Sequence, residues 1–220
     1  MIYGKEEDKN KYKIEYLGEK FSKDLKSYKI IFLGKDGSGK ESIIHKLMGK
    51  EIKTIGIDIN FIQVKVNDKI IQIRIWNSYG GDIYAQNTPN FFKNSDIAIL
   101  VYSINDKKSF EYLNNWYNIL KEHSYDSIKF LIGNKSNLEE EREVTIQDVE
   151  IFKNNKYDIK IFFETSAKNG ENIDKLLDNI AISLYEKVIN EKNKFIKGGR
   201  ISLNKKDFTE KRFKRKSKCG

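Results

Sequence analysis

The sequence has one cysteine, Cys219, so no internal disulfide can form and a small disulfide scaffold is excluded. That scarcity fits a reducing compartment, which makes a cytoplasmic protein the expectation. His45 and His123 are its two histidines. With no cysteine cluster near either, they make no zinc site and read as ordinary surface or helix residues. No apolar run approaches the ~18 residues that a membrane-spanning helix needs. Met1 to Gly4 open no signal-peptide core and place no glycine at position 2, so neither a secretory leader nor myristoylation is expected.

A charge excess is missing from most of the chain as well. The net charge is +9, yet residues 191–220 hold 12 bases against three acids, Glu191, Asp207 and Glu210. The remaining residues carry 29 of each sign. A neutral body argues against a basic nucleic-acid face, so no nucleic-acid partner is expected. A nucleic-acid-binding protein addressed by its basic tail is the alternative that the charge leaves.

What is present is an alternation of strand and helix patterns. Residues 1–27 mix seven lysines with six acids and read as a charged N-terminal arm, flexible or with a short helix around Ile14 to Phe21. Tyr28 to Leu33 is a buried apolar run, and Lys40 to Met48 has helical spacing. Ile57 to Val66 and Ile70 to Trp76 alternate around Asn67-Asp68-Lys69 and predict a hairpin. Ile97 to Tyr102, Ile128 to Ile132 and Ile159 to Phe163 predict further strands. Helices are predicted over Lys108 to Lys121, Thr145 to Phe152 and Ile173 to Ile189, with Thr145 as N-cap and Asp148 three residues on. The pattern implies an α/β fold, a six-stranded mostly parallel sheet with one antiparallel strand and helices on both faces. Residues 28–190 form its domain, and 191–220 are expected to be a basic, disordered tail.

Gly34-Lys35-Asp36-Gly37-Ser38-Gly39-Lys40-Glu41 joins the first predicted buried strand to a helix. In that context the spacing G-x-x-x-x-G-K makes a phosphate-binding loop: backbone N–H groups and the helix start face an anion, and Lys40 reaches the β- and γ-phosphates. The next position calls for a hydroxyl that binds Mg²⁺, and here it is Glu41. Ser42 follows but is turned by roughly 100° along the helix.

Other motifs follow in order: Thr54-Ile55-Gly56-Ile57-Asp58, Ile75-Trp76-Asn77-Ser78-Tyr79-Gly80-Gly81-Asp82, Leu100-Val101-Tyr102-Ser103-Ile104, Gly133-Asn134-Lys135-Ser136-Asn137-Leu138 and Glu164-Thr165-Ser166-Ala167-Lys168. From about Tyr28 to Ile189 the chain resembles the Ras-like small GTPases, and among them the Rab family most closely. The resemblance implies a P-loop NTPase fold that binds GTP or GDP with Mg²⁺. It places the nucleotide against Gly34, Asp36, Gly37, Ser38, Gly39, Lys40, Glu41, Ser42, Thr54, Gly80, Asn134, Lys135, Asn137, Ser166, Ala167 and Lys168. It also implies effector proteins docking on switch segments near 50–58 and 77–93, and a role in vesicle transport at the cytosolic face of an endomembrane.

Within that resemblance several positions depart from the family pattern. Glu41 replaces the hydroxyl and Asn77 the aspartate that supports the metal, with Thr54 the third metal-site residue. Two readings stand: Glu41 substitutes for the missing carboxylate, or it points negative charge toward phosphate. Gly81 stands where a glutamine orients the attacking water, so hydrolysis is expected to be weak or absent. Asn137 replaces the aspartate that accepts two hydrogen bonds from guanine. Asp36 fills a loop position that the family keeps small. A non-cycling pseudo-GTPase scaffold is therefore the second reading. In the tail, Lys211 to Lys218 packs six bases before Cys219, which fits attraction to an anionic leaflet and prenylation of Cys219 as a second anchor.

Overall fold

The run Ser27-Tyr-Lys-Ile-Ile-Phe-Leu33 is apolar on both faces, which suits a strand covered from both sides and not an amphipathic one. The computed structural model describes residues 11–49, 57–78, 89–156 and 158–198. In it the strands are β1 (Ile14–Gly18), β2 (Ser27–Leu33), β3 (Ile57–Val66), β4 (Lys69–Ser78), β5 (Ile97–Ser103), β6 (Ile128–Asn134) and β7 (Ile159–Glu164). The helices are α1 (Lys40–Met48), α2 (Pro89–Phe92), α3 (Lys107–Glu111), α4 (Leu113–His123), α5 (Ile146–Asn154) and α6 (Ile173–Gly198), with a 3₁₀ segment at Ser136–Glu141. The chain divides into two units, Met1–Leu184 and Tyr185–Gly220.

The sheet order is β1-β3-β4-β2-β5-β6-β7. β2 pairs in parallel with β4 and β5, as do β5 with β6 and β6 with β7. β3 is antiparallel to both of its neighbours, β1 and β4. It is thus the one strand running against the rest, joined to β4 by the tight turn Asn67-Asp68, where Asn67 takes φ +54°. On one face Ile31 and Leu33 of β2 pack with Phe91, Phe92, Phe110, Trp116, Val149 and Phe152 from α2 to α5. The buried apolar residues of α1 and α6, among them Ile43, Ile44, Leu176 and Ile180, lie outside that cluster. Successive strand residues point to opposite faces, so helices cover both.

The expected α/β architecture holds, with three corrections. The sheet has seven strands and not six. The added one is β1, in the arm read as flexible or helical; it lies at the sheet edge and buries no apolar side chain, so it left no hydrophobic period to read. The helix expected over 108–121 is two, α3 and α4, divided at Tyr112; Asp106 caps the start of α3 by accepting from the Ser109 N–H. α6 runs to Gly198, past the expected end at Ile189 and into the segment expected to be disordered. The Thr145–Asp148 capping box forms as expected.

Candidate nucleotide-binding site

Parallel pairing sends the carboxyl ends of β2, β4, β6 and β7 to one edge of the sheet, and the loops after β2, β6 and β7 carry three of the sequence motifs. The first loop leaves β2 at buried Gly34. A Cβ there would stand 2.2 Å from the Val101 carbonyl oxygen, so glycine alone lets the chain start this close to β5. Ser38 N–H donates to the Lys35 carbonyl at 3.1 Å and closes the turn around exposed Asp36 and Gly37. Gly39 is the N-cap of α1 at φ +87°, where an added Cβ would lie 2.2 Å from Asn134 Nδ2. With no side chain capping it, α1 presents its first N–H groups and the positive end of its dipole to an anion.

Lys40 is buried at the start of α1, and its Nζ lies 3.7 Å from Asp36 Oδ1. Glu41 is half-buried in the first turn, and Ser42 is exposed. Ser38 Oγ is buried with no hydrogen-bond partner among the described residues, as is Asn77 Oδ1 near the end of β4.

One buried amide ties the three loops. Asn134 Nδ2 donates to the carbonyls of Ser38 (3.0 Å) and Gly39 (3.4 Å), while its Oδ1 accepts from Thr165 Oγ1 and the Ala167 N–H, both at 3.3 Å. Lys135 turns the chain at φ +67°, and Ser136 N–H then donates to the Thr165 carbonyl at 3.0 Å. Ser166 Oγ lies 2.7 Å from Asn137 Oδ1 and is shared with Asn169. Between these loops opens a cleft of about 390 Å³ lined by Gly39, Ser42, Asn134, Lys135, Asn137, Leu138, Ala167 and Lys168.

A Ras family model matches residues 29–186, more than two thirds of the chain. The chain belongs to the Ras family. It is a small GTPase, a guanine-nucleotide-binding protein, and GTP and GDP with Mg²⁺ are the ligands typical of that family.

In this Ras-family protein, seven of the eight cleft-lining residues are ones the sequence singled out; Leu138 is the eighth. Lys40, Ser38 and Asn77 are buried groups and do not line the cleft. Thr54, Gly80, Gly81 and Cys219 lie outside the described residues, as do most of the segments 50–58 and 77–93. Among the described residues no group of three or more His, Cys, Asp or Glu side chains gathers as a metal cluster.

Sequence reasoning missed the clamp behind the base-side loops. Arg142 donates through Nη1 and Nη2 to both oxygens of Glu164 (2.8 and 2.7 Å) and through Nε and Nη2 to both oxygens of Glu139 (2.8 and 2.5 Å). Its Nη1 also reaches the Val144 carbonyl at 3.0 Å. Hydrogen bonds to Glu164, then to Glu139, push the Arg142 pKa above its ordinary value, and the bond from Arg142 holds Glu139 below its own. Glu139 belongs to the 3₁₀ segment that carries Asn137, and Glu164 precedes Thr165-Ser166. The acidic run Glu139-Glu140-Glu141 before Arg142 was the one available signal.

Proposed function

We propose that this protein is a Rab-like GTP-binding switch, peripheral on the cytosolic face of an endomembrane, that regulates vesicle transport and hydrolyses GTP slowly or not at all by itself. The observation that carries the reading is the Asn134 amide, which joins the phosphate loop to both base-side loops around one cleft. In this reading the loop N–H groups and Lys40 hold the β- and γ-phosphates, while Asn134, Lys135, Ala167 and Lys168 frame the base.

The residues present fit a hydrated Mg²⁺. The unpartnered Asn77 Oδ1 can accept from a metal-bound water, and Glu41, half-buried beside the loop, supplies a carboxylate, with Thr54 the third member of the set. When bound, the ion would neutralise phosphate charge. Gly81 has no side chain to orient an attacking water, which is why unaided turnover is slow. Single-turnover hydrolysis tests this: a rate typical of intact family members contradicts it. Effectors dock on the segments near 50–58 and 77–93. The six bases of Lys211 to Lys218 and a prenyl group on Cys219 supply two membrane signals. Intact mass of the native protein checks the second, since an unmodified thiol on every molecule removes the lipid.

The Lys40–Asp36 ion pair favours a second reading, a non-cycling pseudo-GTPase scaffold, because the loop carries its own anion against its phosphate-binding cation. Nucleotide affinity measured across an Mg²⁺ titration separates the two: the switch binds more tightly with Mg²⁺, and the scaffold shows no dependence.

A further inference from the structure

The segment from Lys13 to Ser27 pairs along the sheet edge and docks on the β3–β4 hairpin through polar groups and one ring contact. β1 pairs with only part of β3, from Ile14 opposite Val66 to Gly18 opposite Gln63, and its register slips between Tyr16 and Gly18. Ahead of it, Lys13 N–H donates to Asn67 Oδ1 at 2.9 Å and the Asn67 N–H returns to the Lys13 carbonyl at 2.8 Å. The chain then crosses the outer face of the β3–β4 hairpin to reach β2. There Phe21 meets Phe61 edge-to-face at 4.8 Å, and Ser22 pairs its backbone with the Gln72 amide.

Gln72 is the receiving group. Its side chain is fully buried, and its amide has all four of its hydrogen-bonding places filled. Oε1 accepts from Ser22 N–H (2.6 Å) and Gln63 Nε2 (3.1 Å), and Nε2 donates to the Ser22 carbonyl (3.1 Å) and Ser27 Oγ (2.5 Å). The two bonds to Ser22 reproduce what a neighbouring strand would offer a peptide unit, so the hairpin reads an extended backbone through a side chain. Against this specific receiver, the donor is weakly held. No apolar side chain between Lys11 and Ser27 joins the buried core, Tyr16 is 46% exposed and Phe21 57%. A segment with no core anchor opens at low cost.

We propose that the outer edge and face of the β3–β4 hairpin are a receiving site for an extended peptide, occupied here by the chain's own residues 13–22 and open to exchange with a partner's extended segment bearing one aromatic side chain. The occupant seen on the site sets the partner's chemistry: main-chain pairing along Gln63–Val66, an aromatic ring against Phe61, and one peptide unit on Gln72. In sequence the hairpin connects segments 50–58 and 77–93, so a partner that displaces the arm would bind the stretch of chain joining the two expected switches. That consequence rests on the function proposed above, whereas peptide binding itself is measured without nucleotide.

The test uses the full chain and a fluorescein-labelled synthetic peptide of residues 11–26. Ser22→Pro removes the donor N–H from the resident arm, and Phe21→Ser removes its ring, leaving the receiver intact; the second covers a failure of the first to fold. Either is expected to bind the peptide about tenfold more tightly than the unaltered chain. Gln72→Leu is expected to abolish binding. Absence of peptide binding in both arm variants would show a permanently fixed strand, and equal binding by Gln72→Leu would place the peptide elsewhere; each overturns the proposal.

Discussion

Asn137 Oδ1 lies 2.7 Å from Ser166 Oγ, so the hydroxyl of one base-side loop donates to the amide of the other. Asn137 has a single acceptor oxygen, and its other terminal group is a donor. A guanine edge brings two donors to this position, so one of them meets a donor. Asn137→Asp is therefore expected to tighten GDP binding by roughly tenfold or more, since a mismatched pair costs about 1–3 kcal/mol. Equilibrium titration with a fluorescent GDP analogue reads this; unchanged affinity would place the base elsewhere.

Phosphate affinity turns on Lys40. Its Nζ lies 3.7 Å from Asp36 Oδ1, and Asp36 is exposed, so the pair is screened and weak. Asp36→Ala is expected to strengthen nucleotide binding by a few-fold, on the order of the 0.2–1 kcal/mol of an exposed pair, with less effect at high salt. Weaker binding in that variant would mean that Asp36 holds the loop open for phosphate.

Arg142 joins Glu139 of the 3₁₀ segment to Glu164 at the end of β7, and either lost partner leaves charge unmatched. Arg142→Gln is expected to destabilise the fold by about 1–3 kcal/mol in urea unfolding and to speed GDP release. Arg142→Lys should restore little, because a point ammonium cannot reproduce a fork bound to both oxygens of each carboxylate. A double-mutant cycle with Glu164→Gln measures the coupling, and additive effects would dismiss the clamp.

Lys29 ties β2 to the end of the second switch segment. Its buried Nζ donates to the carbonyls of Asn90 (3.1 Å) and Lys93 (3.0 Å) and sits 4.1 Å over the Trp76 ring. Burial first, then Arg74, lower its pKa from 10.5 to about 8 against the opposing pull of Asp96. Between about 8 and 10.5 the unfolded chain keeps a proton that the folded chain has lost, so unfolding free energy should rise with pH across that window. Lys29→Met should remove this rise. The same slope from pH 8 to 10.5 in the unaltered chain and in Lys29→Met would rule out the depressed pKa; the comparison cancels Tyr102 and Tyr117, whose burial-raised pKa values pull stability the other way at the top of that window.

The parts legible in the sequence were those with a local chemical reason. Thr145 and Asp148 stand three apart and form the capping box that their spacing predicts, and the hairpin expected around Asn67-Asp68-Lys69 forms, with Lys69 already in β4 and the turn shortened to Asn67-Asp68. Of the residues lining the cleft, Gly39 was legible from the spacing of the phosphate loop, whereas Asn134 and Ala167 were expected there only from the family resemblance. β1 was not, because an edge strand paired over four positions buries nothing apolar and leaves no alternation to find. Arg142 was not, because one of its carboxylates, Glu164, ends β7, 22 residues away in sequence. Gln72 left no signal either, because its partner Ser22 stands 50 residues away in a segment without hydrophobic period.

The central claim is that the cleft between Gly39, Asn137 and Lys168 holds a guanine nucleotide. The direct measurement is to denature the purified full chain and quantify the released nucleotide by ion-exchange chromatography, with the metal content taken from the same sample. The account predicts GDP or GTP near one per chain, accompanied by Mg²⁺. A protein that purifies empty, and that takes up no GDP when it is supplied in excess, would contradict it.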